Sequence, residues 1–116
     1  MSTTDRSGQS KKYVVYVDDN FHYMDESERY KLGAFETCEE AVETCKRIVD
    51  EFLEQGYRKG VSFKELYRGY TMFGEDPFII SVDRTCRFSA WDYAKQRCRE
   101  LCGEESYRAW LQGRET

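Results

Sequence analysis

The chain has 116 residues, of which 40% are hydrophobic, 16% aromatic and 34% charged, and it carries a net charge of -4 at pH 7. That length supports one core, burying about two-thirds of the surface the unfolded chain would expose, and the aromatic content excludes a disordered polymer. No stretch approaches the roughly 20 apolar residues of a membrane-spanning helix, and "MSTTDRSGQSKK" lacks the apolar segment of a secretory signal, so a cytoplasmic protein with no membrane association is expected.

Residues 1–11 are small and polar and read as a mobile leader; residues 12–116 read as a single domain. "KYVVYVD" is β-forming, with Tyr13, Val15 and Val17 on one face and Val14 and Tyr16 on the other. A strand apolar on both faces is expected to be central. "ERYKLGAF" places Tyr30, Leu32 and Ala34 on one side of a returning strand, with Gly33 marking a bulge or a close backbone approach.

Thr37 and Glu40 have the spacing of a helix capping box. Ala41, Val42, Cys45, Ile48, Val49, Phe52 and Leu53 then recur at intervals of three and four, the stripe of an amphipathic helix that Gly56 closes. Ser62 and Glu65 repeat the capping spacing and open a shorter helix with Phe63, Leu66, Tyr67 and Tyr70 for packing. "GEDP" breaks the chain, and "FIISVD" reads as a third strand with Phe78, Ile80 and Val82 on one face. A last long helix begins near Ser89, stapled by Phe88 and Tyr93, buries Ala90, Tyr93 or Ala94, Cys98, Leu101 and Cys102, and ends at Gly103. "SYRAWLQG" adds a helical turn whose Trp110 and Leu111 fold back on the domain. The fold class is therefore α+β, a three-stranded, mainly antiparallel sheet packed with helices in the order β-β-α-α-β-α.

Two regions carry chemistry. Asp18, Asp19, Phe21, His22, Tyr23 and Asp25 form a candidate interaction loop that holds the only histidine of the chain. Its oxygen and nitrogen donors are the minimum material for a divalent-cation site, yet the spacing matches no established loop, so a polar hairpin turn, with docking as the sharper alternative, is the simpler reading. Arg84, Arg87, Lys95 and Arg99 form a candidate basic surface near the last helix. The five cysteines follow no disulfide or zinc spacing and are expected to be reduced and metal-free, serving as small buried hydrophobes. No catalytic residue is assigned, because no nucleophile, acid pair or phosphate-cradling loop accompanies His22.

As a whole, and above all in "YVVYVDDNFHYMDESERY", "EEAVETCKRIVDEFL" and "FGEDPFI", the chain resembles a group of small bacterial proteins of unknown function, a resemblance that brings no activity with it. Leu32, Gly33, Phe35, Thr37, Glu40 and Ala41 are locally similar to the DNA-binding ribbon of AP2-type factors and phage integrase arms, which contact DNA through strand Arg and Lys. Here Lys12, Arg29 and Lys31 face five acids, and phosphate repulsion opposes that use.

The expected function is a non-enzymatic protein-interaction or self-association domain without a cofactor, its partner another protein or a second copy. Nucleic-acid binding through the basic C-terminal helix, and small-ligand or metal binding at the acidic hairpin loop, are the alternatives.

Overall fold

A computed structural model describes residues 12–22 and 26–113; the leader expected over 1–11, and Tyr23 and Asp25 of the candidate loop, lie outside the described residues. The elements are β1 (Tyr13–Asp19), β2 (Tyr30–Phe35), α1 (Cys38–Gly56), α2 (Phe63–Phe73), β3 (Glu75–Ile80), α3 (Ala90–Cys102) and α4 (Glu104–Leu111), with short 3-10 turns at Asn20–His22 and Glu26–Glu28. The three strands form one antiparallel sheet in the order β2-β1-β3, so the doubly apolar "YVVYV" is the central strand.

Residues directly opposite across an antiparallel pair share a face. Val15 pairs with Ile79 and Val17 with Pro77, on the face that α1 covers; Val14 pairs with Ile80, Tyr16 with Phe78 and Asp18 with Asp76, on the other. Pro77 fits because β3 is an edge strand, where the ladder tolerates a missing N–H. The register between β1 and β2 slips beside Gly33, where Leu32 is the extra residue. This bulge corrects the expected alternation: Tyr30 stands opposite Val17 and Ala34 opposite Val14, on different faces. β3 also starts earlier than expected, at Glu75, and stops at Ile80, leaving Val82 exposed in the following loop.

Each of the three longer helices starts where a hydroxyl accepts a free backbone N–H. Thr37 accepts from Glu40 N (3.1 Å), Ser62 from Glu65 N (3.1 Å) and Ser89 from Asp92 N (3.2 Å). The staple is formed, with Phe88 and Tyr93 ring centroids 5.8 Å apart. Gly103, at φ 96°, ends α3 and turns the chain straight into α4, a backbone conformation that side chains disfavour. α1 buries Ala41, Cys45, Val49 and Leu53, successive positions four apart. Val49 and Leu53 meet Phe63, Leu66 and Tyr70 of α2 and Ala90, Ala94 and Cys98 of α3, while Ala41 and Cys45 meet Val15 of the sheet; Phe88 packs on both groups. α4 closes the helical end: the Phe63 ring lies 4.8 Å from Trp110 and 5.0 Å from Tyr107, and Ser106 Oγ accepts the Phe63 N–H at 2.8 Å. Leu111, expected to fold back, is exposed instead.

The cysteines divide. Cys45 and Cys98 are buried free thiols, as expected, and Cys102 is partly buried. Cys38 and Cys86 are joined in a disulfide with a Cα–Cα distance of 5.7 Å, which corrects the expectation of five reduced thiols. They are 48 residues apart, and only the packing of the loop after β3 against the start of α1 brings them together. The bridge ties a loop without regular structure to the best-formed helix. Cross-linking across such a span restricts the unfolded chain, so reduction, or Cys86→Ser, is expected to lower stability by about 2–4 kcal/mol. Urea unfolding with and without dithiothreitol checks this; coincident curves would contradict a bridge in the folded protein.

Candidate functional site

The acidic loop opens where β1 ends. Asp18 and Asp19 point to opposite faces of the strand, and each finds a partner. Asp18 receives Arg29 through two hydrogen bonds, Nε to Oδ1 at 2.6 Å and Nη2 to Oδ2 at 3.1 Å. Asp19 lies 2.9 Å from His22 Nδ1 and accepts the Phe21 N–H at 2.9 Å. The bond with His22 holds the Asp19 carboxyl below its usual range, with the Phe21 N–H adding to the effect. Phe21 is 61% exposed, stacked on Phe73 at 5.5 Å and edge-on to His22 at 5.0 Å. One ligand atom from each of Asp19, His22 and Glu28 lies within 4.8 Å of the others, material for part of a cation's coordination shell.

The four basic residues have two settings. Arg84 and Arg87 are exposed in the loop before α3, where Arg87 donates through Nε to the Arg84 carbonyl at 3.1 Å. Lys95 and Arg99 turn toward α4 instead, Lys95 lying 5.2 Å from the Trp110 ring and Arg99 4.3 Å from the Tyr107 ring. Arg99 is further held by Glu104, Nε to Oε2 at 2.8 Å and Nη2 to Oε1 at 2.5 Å. A cleft of about 610 Å³ opens here, lined by Asp92, Lys95, Gln96, Arg99, Glu100, Glu104 and Tyr107, with the Arg99–Glu104 ion pair in its wall. Asp83 accepts the Tyr13 hydroxyl at 2.7 Å and the Thr85 hydroxyl at 2.6 Å and acts as a clasp of the loop after β3.

The structure adds a site centred on Asp76. Its residue sits in β3 opposite Asp18, beside a groove of about 390 Å³ lined by Asp76, Phe78, Phe88, Ser89, Ala90 and Trp91. Asp76 is half-buried, and burial first and the nearby Asp18 second push its carboxyl up to about 6. In the sequence Asp76 belongs to "GEDP", where it has the look of a turn residue; only the pairing of β3 with β1 and the approach of α3 place it beside aromatic rings. The one available signal was an acid within two residues of a β-forming apolar run.

Compared with known proteins, the chain matches no protein family, no curated protein and no solved structure.

Two outcomes follow from these environments. Asp76 takes up a proton more readily when folded than when unfolded, so its charge lowers stability above about pH 6, and stability recovers as pH falls from there toward 4. The charged groups that perturb it include Asp18, while Cys45, pushed up to about 12, and Tyr70, pushed higher by burial, stay neutral throughout. Asp76→Asn is therefore expected to be more stable than wild type at pH 7 by about 1 kcal/mol, a figure discounted for partial exposure, and the gap should close near pH 4. Paired urea titrations from pH 4 to 7 measure it; a constant gap, or a destabilised variant, would contradict the environment described. His22→Ala, at a side chain 42% exposed, is expected to change the unfolding free energy by well under about 1 kcal/mol. A loss of several kcal/mol by the same method would make His22 an anchor of the fold.

Proposed function

We propose that the chain is a non-enzymatic protein-interaction domain that self-associates through the face of its sheet turned away from α1. The observation that carries this reading is the apolar row on that face. Tyr16 and Phe78 stack at 6.0 Å, Val14 and Ile80 continue the row, and Ile80 is 54% exposed. Among the described residues α1 packs on the opposite face and the start of α3 lies beside β3, which leaves Val14, Tyr16 and Phe78 partly exposed and Ile80 exposed, an aqueous boundary that an interface would remove.

A second copy suits the charges at the edge of this face. Arg29 is taken up by Asp18, but Asp76 and Lys31 still place both signs there, and a two-fold pair can set Asp76 of one copy against Lys31 of the other. The pairing of Arg99 with Glu104, and the folding of Arg87 onto the Arg84 backbone, favour this reading over nucleic-acid binding, since both withdraw donors from phosphate. The location expected from the sequence is the cytoplasm; the Cys38–Cys86 bridge favours an oxidising compartment instead, because reducing surroundings rarely preserve such bonds. No helix of the described residues is long and apolar enough to cross a membrane.

Sedimentation equilibrium tests the proposal. Wild type is expected to form a dimer whose dissociation constant rises at least about ten-fold in Ile80→Lys, which puts a charge at the exposed end of the row. Wild type that remains monomeric at about 1 mM, or a variant that dimerises equally well, would refute it.

A further inference from the structure

We propose that the groove between β3 and the start of α3 is a binding site for an organic cation, an ammonium or guanidinium group held against Asp76 and beside the rings of Phe78, Phe88 and Trp91. The first observation is the carboxylate itself. Asp18, Asp19, Asp50 and Asp83 each accept a side-chain or backbone hydrogen bond, from Arg29, Phe21, Tyr93 and Thr85 respectively. Asp76 is half-buried in a groove wall, and no donor among the described residues reaches its carboxylate. A charge withdrawn from water without a partner weakens the fold, and an arriving cation restores the missing interaction.

The second observation is the wall chemistry. Among the described residues Asp76 is the only charged one lining the groove, and three of the other five are aromatic, whose ring faces attract cations. The chain already uses this pairing on one of these rings: the Arg29 guanidinium carbon lies 5.0 Å from the centre of the Phe78 ring. Size and ligand type narrow the choice. A volume of about 390 Å³ takes a cationic head with a few attached carbons, near the small end of ligand pockets. A bare metal ion would need several oxygen or nitrogen donors, and aromatic walls supply none. An anion would meet Asp76 with Asp18 directly across the strand pair.

The ammonium or guanidinium could belong to a free small molecule or to a Lys or Arg side chain of a partner, and a titration separates the two. Choline, agmatine and a short acetylated Arg-containing peptide would each be titrated into the full chain at pH 7.5 while the Trp91 indole N–H resonance is followed. Saturable shifts with the small cations assign a small molecule; saturation with the peptide alone assigns a basic segment, and both outcomes support the site. Asp76→Asn is expected to weaken binding at least ten-fold, and 3,3-dimethylbutan-1-ol, the uncharged counterpart of choline, to bind at least about ten-fold more weakly than choline. Because Phe78 also belongs to the self-association face, the titration is repeated in Ile80→Lys, so that failure of dimerisation and failure of the groove are read apart. No saturable shift with any probe in either background, equal affinity in Asp76→Asn, or equal binding of the neutral alcohol would overturn the proposal.

Discussion

Asn20 is the buried polar residue on which the relative placement of sheet and helices depends. Its backbone N–H donates to the Gly74 carbonyl at 2.9 Å, its side-chain amide donates to the Tyr70 carbonyl at 3.0 Å, and its Oδ1 accepts the Trp91 indole N–H at 3.2 Å. One residue at the end of β1 thereby ties the C-terminus of α2 to the first turn of α3. Such a buried amide is tolerated because its bonding groups are used; without it the partly buried Trp91 indole N–H would lose its acceptor, whereas the Tyr70 carbonyl would keep the Gly74 N–H. Gly74 completes the arrangement. A Cβ there would fall 2.5 Å from Tyr70 Cδ1, so the close approach admits no side chain. Tyr70 in turn donates its hydroxyl to the Glu75 carbonyl at 2.7 Å, which sets where β3 begins.

That placement has a chemical consequence. Once the Trp91 indole is held against Asn20, its ring becomes a wall beside β3, and the β1–β3 register brings Asp76 to the same wall. The groove is thus a product of the Asn20 junction and not of any local motif. The sheet face is set by the same register, since it puts Phe78 beside Tyr16 and Ile80 beside Val14. Both proposed binding features therefore share β3, a short edge strand whose start is dictated by Gly74 and Tyr70. An unpartnered acid in an otherwise well-satisfied fold is the kind of local inconsistency that binding surfaces retain.

The other end of the molecule follows a different logic. Arg97 joins Asp50 of α1 at 3.0 Å and also pairs with Glu100, and the Tyr93 hydroxyl donates to Asp50 at 2.9 Å. Arg99 and Lys95 cover aromatic rings of α4. The cations of α3 thus hold helices together, their alkyl stems and charges both in use. Arg97 and Arg99 of the basic stretch clamp elements to one another, because the acids that pair with them come from α1, from the same helix and from α4.

Local chemistry was legible from the residues alone. The hydroxyls of Thr37, Ser62 and Ser89 marked helix starts, the spacing of Ala41, Cys45, Val49 and Leu53 marked a buried stripe, and the doubly apolar Tyr13–Val17 run marked a central strand. Those features depend on neighbours within one or two turns, so composition and periodicity express them, and with them the α+β class and element order. Tertiary structure alone decided that Leu32 is a bulge, that Cys38 meets Cys86, that Arg99 is claimed by Glu104, and that Asp76 lies at a groove instead of in a turn. The first three depend on which distant or following groups arrive and in what register, and Asp76 depends on both β1 and α3. A single sequence carries periodicity within an element, whereas register and packing between elements arise from steric fit over the whole fold, and that is where the candidate site was made.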